Sequence, residues 1–301
     1  MMSRLLLLPL VAFAAAPLVA QGAPPPAVGV NSAIRNSVSM QTFRDPALRP
    51  AVLREPVFLG TQVATAAASQ LQLLLVDRSV FTVGANARLT IDRFVYDPNR
   101  ATGEVAASVA RGAFRFMSGK AVRGQGGAAA VSTPVASIGV RGTILEGTVG
   151  EEVAAIVALL DDPPAFPPLD PAGATLVVLR GPGPKARGLD RPGQLFVTAG
   201  GATALLDRPG FALLVPGPGQ PPIGPFALSA RAFARLSELL RTAPEGADDT
   251  GPWPIPSARV FAAAIEALPP DRQATELLPA SADLPARPAT KECPPGGIIC
   301  P

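Results

Sequence analysis

Apolar and polar positions alternate in short runs through the middle of the chain, and turn-forming residues interrupt them every few positions. Leu71, Leu73 and Leu75 fall on one face of a strand, Gln72 and Leu74 fall on the other, and Asp77-Arg78-Ser79 ends the run. Residues 80–83 form the next segment before Gly84-Ala85-Asn86, and Leu89 and Ile91 then share a face up to Asp97-Pro98-Asn99. Residues 105–109, 113–117 and Val131 continue the series between breaks at Gly112, Ser118-Gly119 and residues 124–127. A period of two with turns about every 8–12 residues predicts an all-β unit of short strands and not a βαβ arrangement.

The flanks behave differently. Residues 24–54 open on three prolines and sustain no period, which predicts a linker ahead of a β domain over 55–148. Residues 149–175 are proline-dense and predict a connection. A second β segment over 176–215 is expected to pack on the first or to extend it. Within it, residues 176–179 are a continuous apolar run, Ala199-Gly200-Gly201-Ala202 signals a hairpin, and Asp207-Arg208-Pro209-Gly210 signals a second turn. Residues 216–301 predict a proline-rich, helical C-terminal extension, with the prolines of 216–225 ending the β segment. Ser229 is positioned to cap a helix bearing Phe233, Leu236, Leu239 and Leu240 on one face; Ser257 and Asp271 open two further helical patterns. Helices this short need a body to dock on, the competing reading being a free tail.

Composition then narrows the setting. Arg4, the apolar run over 5–19 and the small residues Ala20 and Ala23 have the layout of a signal peptide over 1–23, the alternative being an uncleaved anchor. The expected location is therefore the periplasm or the exterior. The chain carries 26 basic and 23 acidic residues with one Trp and one Tyr, neither the charge footprint nor the stacking surface of a nucleic-acid binder. Histidine is absent, which removes the commonest general base and metal ligand and every Ser/His or Cys/His nucleophile. Cys293 and Cys300 bracket a Pro-Pro-Gly-Gly turn; in an exported chain a disulfide is expected, the alternative being two free thiols.

Candidate chemistry is thin. Gly119-Lys120 lacks the spacing of a phosphate loop, because Phe114 and Ala121 stand where that loop has Gly and Ser or Thr. The pairs Asp92 with Asp97 and Glu151 with Glu152 have no sequence context that would raise a carboxyl pKa. Phe114-Arg115-Phe116 predicts two inward rings and an outward arginine. Arg141, between Gly139 and Gly142, has two readings: an arginine tying strand-end carbonyls, or a partner-binding residue.

Several stretches agree in order and spacing with one family. Val57-Phe58-Leu59-Gly60 with Thr65, then residues 71–77 ending in Asp77, then Phe81-Thr82-Val83-Gly84 and Leu89-Thr90-Ile91-Asp92, resemble the opening of a FecR domain. Gly112-Ala113-Phe114-Arg115-Phe116-Met117-Ser118-Gly119-Lys120, Thr133-Pro134 and Arg141-Gly142-Thr143 complete the resemblance over about residues 55–148. Arg78 departs from it, since many members have glycine after the aspartate. The resemblance implies an all-β envelope domain, solenoid-like or sandwich-like in arrangement, without catalytic residues. In the sensors that name the family, that domain relays a signal from an outer-membrane iron-siderophore transporter to a cytoplasmic sigma factor, behind a cytoplasmic segment and a transmembrane helix. Here an export signal is expected in their place. The expectation is a freestanding, non-enzymatic envelope module that contacts a protein partner, with no cofactor or metal. A peptidoglycan-associated scaffold or glycan-binding protein is the alternative.

Overall fold

The computed structural model of the chain describes residues 26–181 and 193–241. The expected leader, Cys293 and Cys300, and the helices expected from Ser257 and Asp271 lie outside those residues. The strands begin with β1 (Gly29–Arg35), β2 (Val38–Gln41), β3 (Arg49–Pro50), β4 (Pro56–Val57), β5 (Gln62–Thr65) and β6 (Gln70–Leu75). They continue as β7 (Val80–Val83), β8 (Arg88–Asp97), β9 (Thr102–Met117), β10 (Ala128–Ser132), β11 (Ser137–Arg141) and β12 (Ile144–Val149). The last are β13 (Thr175–Gly181), β14 (Gln194–Ala199), β15 (Ala202–Leu206), β16 (Phe211–Val215) and β17 (Ile223–Ala227). The helices are α1 (Lys120–Arg123), α2 (Glu152–Val157) and α3 (Ala230–Leu239).

Hydrogen bonding sorts the strands into two sheets that share β9. Sheet A runs β4-β1-β6-β7-β9-β12-β13-β16-β17. Sheet B runs β3-β2-β5-β8-β9-β10-β11-β14-β15. Residues 102–111 of β9 pair in sheet B and residues 112–117 in sheet A. The change of sheet occurs at Gly112, where φ is +81° and a Cβ would stand 2.4 Å from Ala87 Cα, so only glycine makes this bend. The β9–β10 pairing is parallel; α1 lies in the crossover and buries Ala121 and Val122 in the same core.

The predicted alternation explains why this is a sandwich. Leu71, Leu73, Leu75, Phe81, Val83, Phe114, Phe116 and Leu145 of sheet A meet Val63, Leu89, Ile91, Val105, Val131, Ile138 and Val197 of sheet B in one buried cluster. A second cluster lies on the outer side of sheet A, where Leu176, Val178, Ala212 and Leu214 pack under Val153 and Ile156 of α2 and Ala232, Leu236 and Leu239 of α3. The continuous apolar run in β13 follows from this: Val177 and Leu179 face the other sheet, while Leu176 and Val178 face the helices. Ser229 caps α3, its Oγ accepting from Ala232 N–H at 3.2 Å and donating to Leu159 O at 2.6 Å. The all-β body with a short helix behind it is as expected.

Several boundaries move. The segment expected as a linker holds β1, which lies between β4 and β6, and β2, which pairs with β5; both belong to the body. Asn31 and Ser32 interrupt the period in β1, and Asn31 is buried because its Nδ2 donates to Val52 O at 2.9 Å. The proline-dense connection contains α2. The prolines of 216–225 do not end the sheet: β17 follows on its edge, where Pro225 withdraws no interior donor. Residues 216–240 therefore belong to the body and not to a separate tail. Gly119-Lys120 opens the single helical turn α1 where a plain turn was expected.

Candidate interaction face

Most of the family-motif residues hold the scaffold. Thr65 Oγ1 donates to Gly84 O at 2.5 Å and accepts from Ala87 N–H at 2.8 Å, pinning β5 to the β7–β8 turn. Asp77 is fully buried: Oδ1 accepts from Ser79 N–H at 2.9 Å, and Oδ2 accepts from Ser79 Oγ at 2.6 Å and Ala121 N–H at 3.2 Å. It thereby ties the β6–β7 turn to α1. Gly84 faces Leu239 O and Ala113, and Gly119 faces Ser79 N, each too close for a Cβ. Gly60 (φ +75°) and Gly142 (φ +59°) occupy the left-handed region. Phe114 and Phe116 are core residues; Phe116 stacks at 4.6 Å on Phe81. Thr133 closes the β10–β11 turn at Pro134, its Oγ1 accepting from Ala136 N–H at 3.1 Å, and the Thr143 backbone binds the Ser118 hydroxyl, its O accepting from Oγ at 3.0 Å and its N–H donating to Oγ at 3.3 Å.

Arg141 is the exception. Its side chain is exposed, ties no strand-end carbonyl among the described residues, and lies with its guanidinium 5.2 Å from the Phe196 ring centroid. The carbonyl-knitting expectation is corrected; the ring on the adjacent strand fixes this arginine instead. Arg141 and Phe196 border an open groove of ≈ 1030 Å³ together with Arg123, Gly126, Gly139 and Asp207.

The groove opens at the strand ends beside α1 and reaches the outer face of sheet B at Gly139 and Phe196. Register organises this face into rows. Thr90 pairs with Ser108, Ser108 with Ser132, Ser132 with Ser137, Ser137 with Thr198, and Thr198 with Thr203. Six strands thus carry a continuous hydroxyl row with neighbours about 4.8 Å apart. The next row is Ala106, Ala130, Gly139, Phe196 and Leu205, so the floor beside Arg141 is low and ends in two apolar side chains. At the rim, β15 has no further strand hydrogen-bonded to it among the described residues.

The outer face of sheet A is closed by contrast. Arg115 does not point to solvent as expected; it is 5% exposed and donates from Nε to Glu146 at 2.6 Å. Arg180 approaches the same carboxylate at 3.3 Å and lies 5.1 Å from the Phe233 ring of α3. Glu146 was not singled out in the sequence, although an acid inside the apolar run of β12 signals a buried partner. The four surface carboxylates weighed above do local work. Asp92 accepts from Ser108 Oγ, Asp97 caps its own turn, Glu152 pairs with Arg235 at 2.9 Å, and Glu151 precedes α2. No group of three or more His, Cys, Asp or Glu forms a metal-holding cluster among the described residues.

No curated protein matches the chain. It is similar to two crystal structures of a protein from Parabacteroides distasonis ATCC 8503, provisionally named an anti-sigma factor, each at 14% identity. One is matched with a TM-score of 0.35 over 55% of this chain and 59% of that one, the other with 0.34 over 54% and 57%. The chain thus spans less than two thirds of their length. A structure described as a cell surface anchoring domain is similar at 23% identity and a TM-score of 0.20, over 21% of this chain and 83% of that one. The family model described as FecR protein matches residues 61–161, which contain Thr65, Asp77, the Gly112 bend, Phe114, Phe116 and the Arg141-Gly142-Thr143 run, and the chain therefore carries a domain of the FecR family.

Proposed function

We propose that this protein is a non-enzymatic module of the bacterial cell envelope that works by contact with another envelope protein, in the periplasm or outside the cell. The FecR domain supports a signalling or regulatory role. The observation that carries the reading is the asymmetry of the two outer faces: sheet A is buried under α2 and α3, while sheet B presents Arg141, Phe196 and Leu205 beside the outer edge of β15, which pairs with no further strand among the described residues. An unpaired edge accepts an added strand through its backbone groups, and an arginine held over a ring beside it supplies a directed charge. Since α3 packs into the body, it is not the docking element, and cutting the chain at residue 216 would remove structure. The test places a photo-cross-linker at Leu205 in intact cells, with Thr82 on the buried face as control. Capture of one defined protein from Leu205, lost on Arg141→Ala, supports the reading; no capture, or equal capture from both positions, ends it.

A second reading, a peptidoglycan-associated glycan binder, draws on the hydroxyl row. Serine and threonine both donate and accept, as a polyhydroxylated polymer requires. Retention on isolated peptidoglycan that drops with Ser132→Val and Ser137→Val would favour it over a protein partner.

A further inference from the structure

Seven large apolar side chains are exposed among the described residues, and five of them, Phe43, Leu48, Val52, Leu53 and Leu59, fall within residues 43–59. They occupy turns and loops, where water contact ordinarily selects Gly, Asn, Asp and Ser. Leu59 sits on the turn closed by Thr61 N–H to Phe58 O at 3.2 Å. Val52 and Leu53 sit on the turn closed by Glu55 N–H to Val52 O at 3.3 Å, and Phe43 and Leu48 on the β2–β3 loop. The turns touch one another: the Phe43 and Phe58 rings meet edge to face at 5.2 Å, and Arg49 pairs with both Asp45 and Glu55. A contiguous exposed apolar patch of this kind marks a contact surface.

Charge narrows what it contacts. With Asp45 and Glu55 both engaged by Arg49, no described carboxylate pairs with Arg44 or Arg54. Arg44 lies 4.6 Å from the Phe58 ring centroid and 5.6 Å from that of Phe43, so its charge stands among the apolar groups. The partner is therefore both anionic and apolar. An added strand finds little ladder here, because β3 and β4 have two residues each and Pro50 and Pro56 lack donors. Neither the groove beside Arg141 nor the one lined by Arg35, Gln70 and Arg235 reaches these turns. The chain also enters at this end. Val28 N–H donates to Val57 O at 2.7 Å, so the first described residues, 26–28, join the body beside Phe58 and Leu59.

We infer that this end of the sandwich is a lipid-contact surface: Phe43, Leu48, Val52, Leu53 and Leu59 enter the interfacial zone of an anionic phospholipid membrane while Arg44 and Arg54 meet its phosphates. Co-sedimentation of the full chain with phosphatidylglycerol-containing vesicles, against pure phosphatidylcholine, tests this. Every variant keeps residues 1–25, so any contribution of the N-terminal apolar run is common to all. Leu53→Ser is expected to weaken partitioning about tenfold. Arg44→Gln and Arg54→Gln should each weaken it about fivefold on the anionic vesicles only. Val95→Ser, exposed elsewhere, should change nothing. A fluorophore on a cysteine at position 53, with Cys293 and Cys300 replaced by serine, should be quenched by brominated lipid, whereas one at position 95 should not. Equal partitioning of wild type and Leu53→Ser, equal binding to both lipids, or no greater quenching at 53 than at 95 would each overturn the inference. So would cross-linking from position 53 to a protein with no vesicle binding.

Discussion

At the scale of single residues, conformational demand and chemistry can be separated. Arg78 follows Asp77 at the position where many FecR members have glycine, and its φ is +68°. An L-residue in the left-handed region costs about 1–2 kcal/mol. Glycine would return about 0.5–1 kcal/mol of that as unfolded-chain freedom. With the arginine's own contacts removed in both variants, Arg78→Gly is thus expected to be more stable than Arg78→Ala by about 0.5 kcal/mol, read as a higher midpoint of urea unfolding. The departure from the family pattern changes the strain of the turn and leaves the Asp77 bonds to Ser79 and Ala121 in place. Tyr96 offers a second check because it is the chain's single tyrosine. Partial burial disfavours its phenolate, the charges of Asp77 and Asp97 add to this against Arg78, and its pKa lies above the ordinary 10.0. On raising the pH, the unfolded chain ionises first, so the stability this group contributes is complete below about pH 10 and is lost as the pH climbs through the folded value. Absorbance titration at the phenolate band should give a later midpoint in native than in urea-unfolded protein.

Elements show which interactions bind the layers, and which of them a sequence can reveal. The β6–β7 and β14–β15 hairpins were legible because alternation and turn chemistry are both local: Gly200 (φ +54°) and Gly201 (φ +76°) form the turn that Ala199-Gly200-Gly201-Ala202 predicts. β1 was not legible, because its partners lie more than twenty residues away and its polar Asn31 donates from Nδ2 to Val52 O in another loop. Arg115 was misjudged for a related reason. Alternation gives the side of a strand, but whether that side meets water depends on what packs there, and here Glu146 and Arg180 do. Glu146 therefore carries a testable weight. It is 1% exposed and accepts from β9 while facing β13, and removing one member of a buried charge cluster costs about 3–5 kcal/mol. Glu146→Ala should lower the unfolding free energy by about that amount in denaturant titration, and Glu146→Gln, which keeps an acceptor, by less.

For the molecule as a whole, the two edges and two faces of the sandwich are unequal, and that inequality bears on function. The hydroxyl row and the floor beside Arg141 were invisible in the sequence because each Ser, Thr or Ala is an ordinary outward position. Only the register across β8, β9, β10, β11, β14 and β15 aligns them. The edges differ as well. One ends in the two-residue strands β3 and β4 with Pro50 and Pro56, devices that block strand addition, whereas β15 has five residues with neither proline nor charge. An edge of that kind left uncovered would recruit further copies at high concentration. A lysine placed there opposes strand addition, since each further strand must bury or crowd the charge. Leu205→Lys should therefore leave the circular dichroism spectrum and melting temperature unchanged, because Leu205 is 42% exposed and its neighbour Leu206 carries the core contact. The same change should reduce concentration-dependent self-association in sedimentation velocity and abolish cross-links formed from neighbouring Thr203. If self-association and cross-linking both persist in Leu205→Lys, contact runs through the hydroxyl face and not through the strand edge.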